Sequence, residues 1–143
     1  MSKAKTIAVA IVCVLGSALV TITFALFHGY FDHGKFEVTK VEWSSSGQLA
    51  IVARRSDHEA LGGDAYFVLI GDHLFSPTEL RREYYSHAVI FSTSRDCLAL
   101  RWEGSHKLVV TCGGSSIEPG SINVQQRESG QVAISYVNIP DIR

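Results

Sequence analysis

The chain has 143 residues, with 13 Lys and Arg against 14 Asp and Glu, so its net charge of −1 gives no strong field for attracting an anionic partner. It carries no basic stripe, which argues against nucleic-acid binding. The hydrophobic share of 46% is raised by one N-terminal segment. The sequence therefore combines an apolar segment with a stretch long enough for one small domain.

An uncharged apolar run extends from Thr6 to Phe27. As a helix rising about 1.5 Å per residue it would reach about 33 Å, enough to cross a hydrocarbon core of about 30 Å. The run is longer than the core of a signal peptide and ends in bulky residues, whereas signal peptidase requires small ones. A transmembrane signal anchor is therefore predicted, with a cleaved signal and a lipoprotein attached at Cys13 as the alternatives.

The flanking charges predict the orientation of this anchor. Lys3 and Lys5 precede it, whereas the charges that follow are balanced. Since Lys and Arg near a span stay on the cytoplasmic side, we expect a single-pass protein of the bacterial inner membrane whose C-terminal domain is periplasmic. The predicted segments are a cytoplasmic N-terminus (1–5), the anchor (6–27), a juxtamembrane linker (28–35) and an extracytoplasmic β domain (36–143).

The stretch after residue 36 has the pattern of an all-β domain, in which short apolar runs alternate with turn signals. The predicted strands are 36–43, 48–55, 65–70, 87–93, 97–102, 107–112, 121–127 and 131–139. We therefore expect a mainly β fold, namely a small antiparallel β-sandwich or open barrel of about eight strands with one short helix. The first two strands and the last two are expected to form hairpins.

Two of these strands allow finer predictions. Residues 65–70 (AYFVLI) form a continuous apolar run, which is typical of a central strand covered on both faces. In the first strand, strict alternation places Phe36 and Val38 on one face and Val41 and Trp43 on the other.

One short helix is predicted between the third and fourth strands. Ser76 can cap it, Pro77 suits its first position, and Glu79 can reach back to the cap amide. The helix is expected to run from Pro77 to Tyr84, with Leu80 and Tyr84 packing inward because they lie four residues apart.

Cys97 and Cys112 are predicted to form a disulfide. If Gly104 and Ser105 are the tip of the hairpin, the two cysteines face each other with Cα atoms about 4.5–5.5 Å apart. The periplasm is oxidising, and the bridge would stabilise the fold by about 3 kcal/mol. The alternatives are two buried free thiols, or a nucleophilic Cys112 beside the flexible Gly113.

No catalytic, cofactor-binding or metal-binding residues are predicted. The histidines show neither the spacing of a zinc-protease helix nor Cys-x-x-Cys partners, and no Gly-x-Ser-x-Gly elbow is present. These histidines are His28, His33, His58, His73, His87 and His106.

Two polar segments are instead predicted to recognise a protein partner, because loops on a rigid scaffold often carry recognition. Candidate partner-binding residues are Asp57, His58, Glu59 and Asp64 in one loop, and Arg81, Arg82 and Tyr85 in and after the short helix.

The order of motifs carries a family resemblance. An N-terminal anchor is followed by residues 41–49 (VEWSSSGQL), and then by Arg101-Trp102 leading to residues 108–110 (LVV). This order resembles small membrane-tethered bacterial β domains that have an SPDGK-type turn after the first strand. Some similar envelope proteins are immunity proteins, so the resemblance implies that this chain neutralises a toxin delivered to the periplasm.

Three functions in different classes therefore follow from the sequence. The first is an anchored periplasmic module that binds a protein, which the resemblance suggests is a toxin, and the second is a minor structural subunit of an inner-membrane assembly. Only the small-residue stripe of Cys13, Ser17 and Thr21 supports the second function. The third is a small hydrolase or metal-dependent enzyme.

Overall fold

The computed structural model describes residues 2–26, 34–57, 63–114 and 116–142. In chain order its elements are α1 (Lys3–Ala25), β1 (Lys35–Trp43), β2 (Leu49–Ser56), β3 (Ala65–Gly71), α2 (Pro77–Tyr85), β4 (Phe91–Thr93), β5 (Leu98–Trp102), β6 (Lys107–Cys112), a 3-10 turn (Pro119–Ser121), β7 (Ile122–Gln125), β8 (Glu128–Ser129) and β9 (Val132–Val137). The chain separates into two compact units, Met1–His33 and Gly34–Arg143.

The first unit contains α1, which holds the apolar run. Its 23 residues have a mean hydropathy of 2.6 over the most apolar window, and none of its side chains is buried. The helix is therefore long and apolar enough to cross a membrane, as the sequence predicts.

The second unit is a β domain of two sheets. Sheet A has five antiparallel strands in the order β1-β2-β3-β4-β7. Sheet B has four strands in the order β5-β6-β9-β8, and it is mixed because β9 runs parallel to β6. The mainly β, sandwich-like fold is thus confirmed, and the two-residue strand β8 raises the number of strands in the described part of the chain to nine.

Sheet A is buried on both faces. One face packs against sheet B and forms the inter-sheet core, which includes Ala50, Val52, Val68, Leu98, Leu108, Val110 and Ile134. The other face packs against α2 and forms the helix-side core, which contains Phe36, Leu49, Ile51, Ala53, Phe67, Leu69, Leu80 and Val89. Since β3 is the middle strand and contributes to both cores, the prediction of a central strand covered on both faces is confirmed.

A bulge in β1 changes which residues share a face. The pairing with β2 shifts between Val38 and Lys40, so that Val38 faces Ala53 and Val41 faces Ile51, and both partners belong to the helix-side core. The predicted strict alternation is therefore wrong, because one extra residue in an antiparallel pair reverses the order of faces beyond it.

The disulfide between Cys97 and Cys112 is present, with Cα atoms 4.8 Å apart. Its predicted register is wrong by one residue, since Leu98, and not Cys97, pairs with Cys112. The reason is a three-residue tip: Glu103 N donates to Lys107 O at 2.8 Å, and Gly104 takes a positive φ of 70°. The cysteines meet diagonally at the end of the strand pair.

The predicted hairpin of residues 121–127 and 131–139 forms only near its turn, where β8 pairs antiparallel with β9; the rest of the prediction is wrong, because β7 belongs to sheet A and β9 to sheet B. The chain changes sheets after β7. There Gln126 N donates to Ile90 O at 2.8 Å, and the Tyr136 hydroxyl donates to Gln126 O at 2.5 Å. Burial raises the pKa of this hydroxyl, in keeping with its position between the sheets.

The strand predicted at residues 87–93 is shorter in the structure and contains only Phe91–Thr93. Its first part is a turn in which the Ser86 hydroxyl accepts a hydrogen bond from Ala88 N at 3.2 Å. Serine forms such local bonds readily, and they compete with strand pairing.

Candidate functional site

The helix α2 is fixed at its start by the predicted capping box. The Ser76 hydroxyl accepts from Glu79 N at 3.3 Å, and the Glu79 carboxylate accepts from Ser76 N at 2.8 Å. Hydrogen bonding to its carboxylate, first from the Ser76 backbone and then from the Ser76 and His73 side chains, lowers the pKa of Glu79 to about 2. Leu80 is 1% exposed, and the ring centroid of Tyr84 lies 4.9 Å from that of Phe67. The predicted inward packing is therefore confirmed.

Tyr85 follows on the outer side of α2, with 59% of its surface exposed. Its ring meets the Tyr84 ring edge to face at 5.2 Å and the Phe36 ring at 6.4 Å. Edge-to-face contact is a favoured arrangement of aromatic rings. An exposed aromatic side chain is thus held against a buried aromatic cluster.

Two arginines of the same helix adjoin Tyr85. The Arg82 guanidinium pairs with the Glu83 carboxylate at 2.9 Å, and its side chain is 69% exposed. Arg81 is half-buried and lines a groove of about 410 Å³ together with Lys35 and Phe36. Residues three and four apart on a helix are neighbours. The structure therefore brings Arg81, Arg82 and Tyr85 together, and we call these three residues the α2 surface.

The acidic candidates lie beside β2 and do not form one group. Asp57 pairs with Arg55 at 3.4 Å, and the Arg55 guanidinium lies over the Tyr84 ring at 5.5 Å. Asp64 is 3.8 Å from Arg54, whose side chain points to the opposite face of sheet A because side chains alternate along a strand. Of the two acidic candidates that the structure describes, only Asp57 is thereby connected to the aromatic cluster of α2.

The remaining two candidates, His58 and Glu59, lie outside the described residues. Among the residues that the structure describes, no group of three or more His, Cys, Asp or Glu side chains could hold a metal ion.

An ionic clamp that the sequence did not predict joins β3 to α2. Both ring nitrogens of His73 face carboxylates: Nδ1 is 2.6 Å from Asp72 and Nε2 is 3.1 Å from Glu79. Because a carboxylate accepts and a neutral imidazole can donate from one nitrogen only, two such partners favour the doubly protonated ring. The hydrogen bond to Asp72 is the main cause that raises the pKa of His73, and the bond to Glu79 adds to it.

A pocket of about 260 Å³ lies at the C-terminal end of α2. Its lining residues are Tyr84, Ser86, His87, Val89, Ser92, Asn123, Val124 and Gln126. It forms because the sheet A face extends past the helix: Phe67 pairs with Ser92, and Ser92 pairs with Val124, along one row of that face.

Sequence reasoning missed this pocket. A local sign in the sequence was the hydroxyl of Ser92 in strand β4, where the residue is 4% exposed. The other lining residues come from segments that the pattern of apolar residues does not connect.

Comparison with protein-family models, with curated protein sequences and with solved structures gives no match.

Proposed function

We propose that this chain is a membrane-anchored binding module that presents the α2 surface to a protein partner in the bacterial periplasm. Tyr85 is the observation that carries the proposal. Tyr85 is 59% exposed to solvent, so its ring offers a large contact area to a partner. Tyrosine and arginine are the residues enriched in the energetic centres of protein interfaces.

The support beneath Tyr85 favours binding with little loss of freedom. Tyr84 and Phe36 contact its ring, and Leu80 fixes α2 on the helix-side core. A surface that is ordered before binding loses less conformational entropy when the complex forms. Asp57 is paired with Arg55, whose guanidinium lies over the Tyr84 ring. It thus adds one carboxylate near the aromatic cluster of α2, which would help to select the orientation of the partner.

Two features support the periplasmic location. The helix α1 can span a membrane and is preceded by Lys3 and Lys5, which favour a cytoplasmic N-terminus. The disulfide of the β domain fits an oxidising compartment. A phosphatase that works only outside the cytosol, fused after residue 143, should therefore be active, and activity of a cytosolic reporter at the same position would contradict this location.

An immunity protein that neutralises a periplasm-acting toxin is the sharpest form of the proposal. It rests on the resemblance of the 41–49 turn and the later Trp-Leu-Val hairpin to membrane-tethered envelope domains. Expression of the chain should then protect cells from one toxin when that toxin is directed to the periplasm, and should give no protection when the toxin acts in the cytosol.

The proposal is tested by photo-crosslinking in living cells. A photo-activated phenylalanine derivative replaces Tyr85 in the full-length chain, and a second strain carries it at Ala133, which is exposed on the outer side of sheet B. Position 85 should give one discrete cross-linked protein, and position 133 should not. Equal cross-linking from both positions, or none from position 85, would contradict binding through the α2 surface.

A matched pair of arginines sharpens this test. Arg82 and Arg101 have side chains 69% and 68% exposed, and each pairs with a nearby glutamate at 2.9 Å. Arg82→Ala should lower the cross-linking yield from position 85 about tenfold, as for loss of an interface arginine, whereas Arg101→Ala should leave it unchanged.

Exchange of the anchor distinguishes the module from a structural subunit. If α1 is replaced by an unrelated apolar span, a module that binds through α2 keeps its cross-link at position 85. A subunit that assembles through the Cys13, Ser17 and Thr21 stripe would lose its partner.

A further inference from the structure

The Ser92 hydroxyl lies in a residue that lines the pocket beside α2. The residue is 4% exposed, and it lies in the row between Phe67 and Val124 on the face that the pocket uncovers. No side-chain hydrogen bond to Ser92 occurs among the residues that the structure describes. The hydroxyl is not one of the fully enclosed side-chain atoms that lack a partner, so it is open to the pocket, where a group of a binding partner can replace water as its hydrogen-bonding partner.

The lining of the pocket determines the charge of an occupant. None of its eight described residues is Asp, Glu, Lys or Arg. A charged group placed there would lose water without gaining a counter-charge, which is strongly unfavourable. The Ser86 hydroxyl and the Gln126 amide nitrogen are already hydrogen-bonded within the chain. The Ser92 hydroxyl and the Asn123 amide instead match an uncharged group that both donates and accepts hydrogen bonds.

The size of the pocket limits the occupant further. Its volume of about 260 Å³ lies below the range of about 300–1,000 Å³ that is usual for drug-sized ligands. It equals roughly nine water molecules at about 30 Å³ each. A single side chain fits this space.

The walls of the pocket are held in place by three contacts. The Gln126 amide donates to Val89 O at 3.0 Å and to His87 O at 3.4 Å, which ties β7 to the turn after α2. The Tyr136 hydroxyl holds the Gln126 backbone from the other side. The space therefore exists before any occupant enters, as is usual for binding pockets.

The pocket adjoins the α2 surface directly, because Tyr84 lines it and Tyr85 is the next residue. Energetic centres of interfaces combine an exposed aromatic residue with a pocket that receives a group of the partner. We propose that this pocket is the socket for one carboxamide or hydroxyl side chain of the partner, with Ser92 as its hydrogen-bonding residue. This inference rests on the proposed function, since it assigns a chemistry to the same surface.

The test uses the photo-crosslinker at position 85 in the full-length chain as its probe. Ser92→Ala removes the hydroxyl and should lower the cross-linking yield about fivefold to tenfold. This is the loss of affinity that corresponds to the net contribution of one hydrogen bond. Ser92→Thr keeps the hydroxyl and should restore at least half of the yield. Asn123→Trp places an indole at the rim of the pocket and should lower the yield more than tenfold.

Ala133→Trp is the matched control, because it adds the same ring at an exposed position of sheet B and should leave the yield unchanged. Resistance of each variant to a periplasmic protease shows that it is folded. If Ser92→Ala and Asn123→Trp are both folded and both keep the full yield, the socket is overturned while binding through the α2 surface stands.

Two other outcomes also decide the inference. Absence of any cross-link from the unaltered chain overturns the proposed function and the socket with it. If a partner is captured, its residue in the socket is found by substitution: loss of the cross-link on changing one Asn, Gln, Ser or Thr to Asp supports the socket, and a requirement for a charged residue at that position overturns it.

Discussion

The two faces of sheet A differ in how completely they are covered. The inter-sheet core lies between two sheets, consists mainly of aliphatic residues, and has a disulfide at one edge. The helix-side core is covered by α2, which has nine residues, and it is open at both ends. At one end lies the 260 Å³ pocket, and at the other Val41 and Trp43 are 38% and 50% exposed.

This difference separates stability from recognition. Strands β2 and β3 contribute alternate side chains to both cores, so the same strands supply a closed face and an open one. The closed face can hold the domain together while the open face presents Tyr85 and the pocket. The following variants test whether the two faces behave differently.

Leu108→Ala should cause the largest loss of stability. Leu108 is 0% exposed within the inter-sheet core. A buried Leu→Ala change lowers the free energy of unfolding by about 2–5 kcal/mol, and the loss is near the upper end where the surrounding structure cannot move into the cavity. Leu80→Ala, beneath α2, should cost nearer about 2 kcal/mol, because the short helix can settle into the cavity. Urea unfolding of the full chain in detergent, followed by tryptophan fluorescence, measures both, and equal losses would contradict the distinction.

Loss of the disulfide should rank next. The bridge joins residues 15 apart, for which the chain-entropy account gives about 3 kcal/mol. Unfolding with and without reductant measures this, in a chain carrying Cys13→Ser so that only the bridge responds. Since the bridge lies at the inter-sheet core, reduction should not lower cross-linking from position 85 in protein that stays folded. An unchanged urea midpoint would show that the bridge adds no stability.

Ser76→Ala should have a smaller effect on the open face. Removal of the capping hydroxyl leaves Glu79 N without its partner and should cost about 1 kcal/mol. Ser94→Ala, at an exposed turn, is the control and should stay within about 0.5 kcal/mol of the parent. A similar midpoint for both variants would mean that the cap contributes nothing.

The smallest effect should come from the pH dependence of the His73 clamp. Because the pKa of His73 is raised above 6.5 in the folded chain by Asp72 and Glu79, its stabilisation is complete below about pH 6.5 and is lost as the pH rises through the folded value. The urea midpoint should therefore fall from pH 6 to pH 8.5. His73→Gln should remove that part of the decline and His106→Gln should not, so an unaltered pH profile in His73→Gln would contradict the clamp.

Features that depend on neighbouring residues could be predicted from the sequence. The apolar run at 65–70 showed the central strand, and Ser76, Pro77 and Glu79 showed where α2 begins. The cysteine pairing was also predicted correctly, because the hairpin between Cys97 and Cys112 is short and an error of one residue still leaves the sulfur atoms within reach.

Features that depend on distant residues could not be predicted. The bulge after Val38 is favoured because it turns Val41 and Trp43 to the same face as Phe36, which alternation alone does not reveal. The change of sheet after β7 and the parallel pairing of β9 with β6 depend on tertiary contacts such as that of Tyr136. The pocket depends on how far α2 reaches across sheet A, and no local pattern encodes this.

The position of β9 affects the timing of folding. It lies inside sheet B between β6 and β8, so sheet B remains incomplete until Val132–Val137 have left the ribosome and, under our proposal, crossed the membrane. Pairings between strands distant in the chain form slowly, and a nascent chain lacking β9 would have every strand of sheet A but only part of sheet B. The segment that closes the sandwich would thus also set the moment at which the inter-sheet core can be completed.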